Sequence, residues 1–90
     1  MKSRITLSMT EDGLLEIWMN REGRDELVRQ LTMLDERDEH LHLEAGELGD
    51  IEVSTVPYRP TDKIIESGKI MFRTDEWDRQ YFPHVIERSG

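Results

Sequence analysis

The sequence predicts a single α+β domain over residues 1–90: a mainly antiparallel sheet in ββαββ(β) order, one amphipathic helix packed on it, and a short C-terminal helix. Three observations carry this. Apolar and polar residues alternate before residue 20 and again after residue 39, a helical repeat fills the stretch between them, and Gly- or Pro-containing turns separate the runs. A chain of 90 residues buries only roughly 60 to 65% of its unfolded surface, so the core must be small.

In the first strand, Ile5, Leu7 and Met9 alternate with Arg4, Thr6 and Ser8, giving one apolar and one wet face. Glu11-Asp12-Gly13 supplies turn chemistry. Leu15, Ile17 and Met19 then alternate with Leu14, Glu16 and Trp18, completing a hairpin. Trp18 points away from the Leu15/Ile17/Met19 face. It either covers the second face of the hairpin or anchors a protein interface.

Asn20 is placed to cap a helix over about Arg21 to Leu34, with Glu22 in the first turn where the helix dipole favours an anion. Leu27, Val28, Leu31 and Leu34 form its apolar stripe. Gly23 weakens the first turn, because glycine is a poor helix former. Asp35-Glu36-Arg37-Asp38-Glu39 places negative charge where the dipole opposes it, so the helix stops and an exposed loop follows.

In His40-Leu41-His42-Leu43 the alternation turns both leucines to the core and both histidines to the other face. Gly46 and Gly49 mark a turn into a strand over Ile51 to Val56, with Ile51 and Val53 inward. Pro57 and Pro60 break the ladder, since neither can donate a hydrogen bond. One or two strands lie within Ile64 to Arg73, with Gly68 at a bulge or turn. Thr74 caps a short helix carrying Trp77 and Tyr81 at i and i+4, which Pro83 ends. Either His84-Val85-Ile86 then tucks back onto the sheet or the tail from Glu87 to Gly90 frays.

Charge restricts the partners. Twenty acidic against 12 basic residues give a net charge of −8, which repels phosphate backbones and anionic lipid and favours a basic protein. Residues 11–52 hold 14 acids and 4 bases, or −10, while residues 1–10 contribute +2 and residues 53–90 hold six of each. The absence of cysteine removes disulfides, zinc thiolates and thiol nucleophiles. No apolar run approaches the roughly 20 residues that span a bilayer, and MKSRITLSMTEDG lacks the apolar centre of a signal peptide. A soluble, cytoplasmic chain without nucleic-acid or membrane partners is expected.

Few residues suggest catalysis. The carboxylates are numerous, but nothing in the sequence confines a pair to a cleft that would separate their pKa values. The serines lack a glycine-flanked nucleophile turn, and there is no Gly-rich phosphate loop. His40 and His42 are the one pair with metal-ligand character, since imidazoles two apart on a strand project side by side. Glu44 or His84 would have to supply a third ligand. A metal-binding domain or small metal-dependent enzyme is therefore the alternative to a binding protein without a cofactor; a structural or dimerising module is a third reading.

The binding reading groups Asp35, Glu36, Asp38, Glu39, His40, His42 and Glu44 with the aromatic anchor Trp18; Tyr58 or Trp77 could add further anchors. The segments LLEIWMN, RDELVRQLTML and EHLHLEAGELGDIEVS, a little over a third of the chain, together resemble small immunity proteins of bacterial polymorphic toxin systems. That resemblance implies an inhibitor that binds a cognate toxin, with acidic residues steering a basic, nuclease-like partner.

Overall fold

The computed structural model describes residues 1–89. Six strands and three helices follow one another as β1 (Ile5–Met9), β2 (Leu15–Met19), α1 (Arg21–Thr32), β3 (His40–Ala45), β4 (Ile51–Val53), β5 (Lys63–Ile64), β6 (Ser67–Met71), α2 (Asp75–Tyr81) and α3 (Pro83–Ser89). The α+β class and the strand, strand, helix, strand, strand order are those expected from the sequence. The strands form two three-stranded sheets, β2-β1-β5 and β4-β3-β6. Backbone bonds join them: Ser54 N–H donates to Ile5 O (2.7 Å), Ile65 N–H to Leu7 O (2.9 Å) and Ala45 N–H to Glu66 O (2.8 Å).

The first hairpin closes through Gly13, whose φ of +89° is open to glycine at no steric cost. Thr10 ties the turn twice: its N–H reaches Leu14 O, and its hydroxyl oxygen accepts from Leu14 N–H. Register pairs Ile5 with Met19 and Leu7 with Ile17, so the apolar residues of both strands share one face.

α1 lies on that face. Asn20 fixes its start: the side-chain oxygen accepts from Gly23 N–H (2.7 Å) and Arg4 N–H (2.9 Å), while the amide donates to Lys2 O (2.8 Å). One residue thus caps the helix and pins it to β1. Gly23 is the buried residue of α1, pressed so close that a Cβ there would sit 2.4 Å from Arg4 O and 2.9 Å from Ile5 Cγ1. The helix therefore enters backbone to backbone. The helix ends at Thr32, two residues before the expected Leu34; Gly23 and Leu27 are its inward residues and Leu34 packs on the core just beyond its cap, while Val28 and Leu31 of the expected stripe are exposed.

The core contains Ile5, Leu7, Leu41, Leu43, Ile51 and Val53, with Leu27, Leu34, Ala45, Ile65 and Ile70 packed around it. The inward leucines of β3 are those the alternation specified. The expected wet face of β1 is buried instead, with Thr6 and Ser8 almost wholly enclosed. Trp18 and Glu16, their partners across the hairpin, lie on this face. The chain after β4 returns beside them: Trp18 stacks on Tyr58 with centroids 4.2 Å apart, and Arg59 bonds both Glu16 and Asp62.

β3 and β4 run parallel although only five residues join them. Parallel pairs normally need a longer crossover. Here the connection folds back tightly: Asp50 N–H donates to His42 O (2.9 Å), and the Asp50 carboxylate accepts from His42 N–H (2.7 Å). Gly49 makes this approach feasible, because a Cβ would lie 2.9 Å from His42 O. On the other side β6 runs antiparallel to β3, with Gly68 inside the strand opposite Leu43 rather than at a turn.

α2 stops at Tyr81, before Pro83 as expected, and Pro83 then begins a third helix. Its ring presets a helical φ, and the first turn needs no proline N–H. Trp77, Tyr81 and the C-cap residue Phe82 cluster on α2, and the Phe82 ring meets His84 of α3 edge to face. α2 buries no residue. The radius of gyration is 15.3 Å, against about 12 Å for a compact chain of this length; the long axis is 43 Å. The C-terminal helices form an arm beside the sheets.

Candidate functional site

The acidic loop between α1 and β3 is ordered by its own first residue. The Asp35 carboxylate accepts from Asp38 N–H (2.8 Å) and Arg37 N–H (2.9 Å), and these two bonds hold its carboxyl below the usual aspartate range. Asp35 thus acts as a turn former that stays ionised. Glu36 and Asp38 are left exposed beside it.

Glu39 links the loop to the arm. Its carbonyl accepts from Phe72 N–H (2.6 Å), and its carboxylate pairs with Arg73 at 3.1 Å. The Arg73 guanidinium in turn lies 4.4 Å from the centre of the Trp77 ring. Thr74 caps α2 by accepting from Trp77 N–H (3.2 Å) and starts a second acidic run, Asp75, Glu76 and Asp78. Phe72 lines an open hollow with Asp35, Glu36 and Arg37. Two acidic segments distant in sequence therefore meet across Arg73, beside Trp77 and the exposed Tyr81 and Phe82.

β3 continues the surface. His40 and His42 are both exposed on its outer side, their rings edge to face with centroids 5.0 Å apart. Cross-strand partners put Met71 beside His40, Lys69 beside His42 and Ser67 beside Glu44, where the serine hydroxyl donates to the carboxylate (2.8 Å). No group of three His, Cys, Asp or Glu side chains among the described residues is placed to hold one metal ion. Glu44 is engaged by Ser67, and His84 lies in α3 against Phe82.

The structure thus brings Asp35, Glu36, Asp38, Glu39, His40, His42 and Glu44 onto one continuous stretch formed by the loop and β3. Trp18 is not among them. It is half-buried under Tyr58 and Arg59 on the far side of the hairpin, where it covers β1. Phe72 borders the acidic loop directly and Trp77 through Arg73, with Tyr81 and Phe82 packed on Trp77. The i, i+4 spacing of Trp77 and Tyr81 was visible in the sequence; the pairing of β6 with β3 that carries Phe72 and Arg73 to the loop was not.

Compared with known protein families, with curated proteins and with solved structures, the chain matches none.

Proposed function

We propose that the protein is a non-enzymatic binding protein that neutralises a cognate basic toxin, as its resemblance to immunity proteins implies. One observation carries the reading: two acidic segments converge on an aromatic cluster. Residues 35–39 hold four acids and one base, or −3, and residues 74–78 hold three acids and no base, also −3. Arg73 between them is already paired with Glu39. A cationic surface approaching here meets concentrated negative charge at the rim and exposed aromatic area next to it, the combination that supplies fast capture and then retention.

The arm suits such a role because it contributes little to the core. Trp77 is half-buried against Tyr81, Phe82 and Arg73 on a helix that buries no residue fully, and the exposed Tyr81 and Phe82 beside it supply aromatic area for a partner.

Co-expression tests the proposal. The wild-type chain should restore growth to cells producing its cognate toxin, sought among the products of neighbouring genes. A triple variant, Glu36→Lys, Asp38→Lys and Trp77→Ala, should fail to protect while keeping the wild-type melting temperature within a few degrees, since none of these residues is buried. Failure of the wild-type chain to protect against any neighbouring toxin removes the reading.

A further inference from the structure

The helix-bearing face of the first sheet is only half covered. Ile5 and Leu7 on β1 are buried in the core, with Gly23 of α1 against Ile5 and Gly68 of β6 beside Leu7, but on β2 the cross-strand neighbours Leu15, Ile17 and Met19 remain 53%, 51% and 38% exposed. Val28 and Leu31 of α1 are also exposed. β2 is the outermost strand of its sheet, so its second row of backbone N–H and C=O groups has no strand partner among the described residues. Natural edge strands are usually protected by lysine, proline or a bulge. β2 has none: its five residues are LEIWM, and all five pair with β1 in unbroken register.

We propose that this edge is the two-fold interface of a homodimer, with β2 of one copy pairing antiparallel with β2 of a second about Ile17. The strand is self-complementary in that arrangement. Ile17 faces its own symmetry mate and Leu15 faces Met19 of the second copy, all on the apolar side; Glu16 faces Trp18 on the other. The two sheets join into one of six strands, β5-β1-β2-β2-β1-β5. An isologous contact of this kind closes on itself and leaves no further β2 edge.

Charge selects a second copy as the occupant. Two chains of net charge −8 repel over most of their surfaces. β2 carries one charge, Glu16, which Arg59 pairs while also bonding Asp62 at 3.0 Å, so the three side chains together leave a single negative charge beside the strand. Copies can therefore approach along β2 with least repulsion. A strongly basic partner is drawn instead to residues 35–39 and 74–78.

The cysteine-free chain makes the geometry testable. Light scattering of the wild-type chain at micromolar concentration should give about 21 kDa, twice its 10.7 kDa mass. Ile17→Cys should cross-link under mild oxidation, because directly opposed strand residues have Cα atoms about 4.5 to 5.5 Å apart, within disulfide reach. Leu48→Cys, at a site 95% exposed and away from β2, should not. Ile17→Lys should give a folded monomer with unchanged circular dichroism, since it places two ammonium groups face to face. A monomeric wild-type chain, a dimer indifferent to Ile17→Lys, or equal cross-linking at positions 17 and 48 overturns the proposal. So does a monomer whose Ile17→Lys variant loses toxin capture, which would assign this face to the toxin.

Discussion

Gly23→Ala should destabilise the protein by about 1 to 2 kcal/mol, the opposite of the effect expected from helix propensity. Alanine in place of glycine within a helix ordinarily gains roughly 0.8 to 1 kcal/mol. Here the added methyl would stand 2.4 Å from Arg4 O and 2.9 Å from Ile5 Cγ1. The first neighbour is backbone and cannot rotate aside. The Arg4 carbonyl accepts from Asn20 N–H and its amide donates to the Asn20 side chain, so moving it also strains the helix cap. Overpacking costs about 1 to 3 kcal/mol and outweighs the propensity gain. Gly23→Val, with a larger branched side chain, should lose about 3 kcal/mol. Urea unfolding measures both: the midpoint should fall with little change in slope. A midpoint that rises for Gly23→Ala would contradict the backbone approach of α1 to β1.

Leu41→Ala should have a larger effect, about 3 kcal/mol or more. Leu41 is 2% exposed, in the centre of the β4-β3-β6 sheet, and belongs to a buried apolar set of six side chains among the described residues. Removing it forfeits transfer free energy and leaves a cavity, a change that typically costs 2 to 5 kcal/mol. Domains of this length have total stabilities of about 5 to 13 kcal/mol, so the variant should populate unfolded chains at 37 °C. Val28→Ala removes an apolar side chain that the sequence assigns to the same core, yet it should change stability by less than about 0.5 kcal/mol, because that residue is exposed. Comparable losses for the two would contradict the inward stripe through Gly23, Leu27 and Leu34.

These two residues show where the sequence was informative and where it was not. The hairpin, the cap at Asn20, the helix and the inward leucines of β3 follow from local rules: period-two alternation, one good N-cap residue, and turns marked by glycine. The inward line of α1 does not. Leu27, Val28, Leu31 and Leu34 lie within one broad apolar arc, and only the docking of Gly23 on Arg4 and Ile5 turns the helix so that Leu27 and Leu34 enter.

The same limit applies to the sheets. Alternation assigns Leu15, Ile17 and Met19 to one face, but it cannot tell whether anything covers them. Thr6 and Ser8 look like solvent-facing residues until Tyr58 and Arg59 return over the hairpin from forty residues downstream. The parallel pairing of β3 and β4 depends on Asp50 and Gly49 closing against His42, a non-local match that a turn composition leaves open.

The candidate site was legible in its charge and not in its aromatics. Asp35 to Glu39 and the histidine face of β3 are contiguous in sequence, so their proximity follows from the elements themselves. Trp77 reaches them through the β6–β3 pairing and the chain of Glu39, Arg73 and Trp77. Trp18, the aromatic nearest in sequence to the helix, stacks on Tyr58 instead.

The most direct measurement of the proposed function is the association rate of the purified chain with a candidate basic toxin domain, followed across ionic strength. The rate should fall steeply as salt rises, and Glu36→Lys with Asp38→Lys should slow it by about tenfold at low salt, because steering by complementary charge acts mainly on association. Trp77→Ala should leave that rate nearly unchanged and speed dissociation. An association rate indifferent to both salt and the charge reversal would contradict recognition through the acidic, aromatic surface.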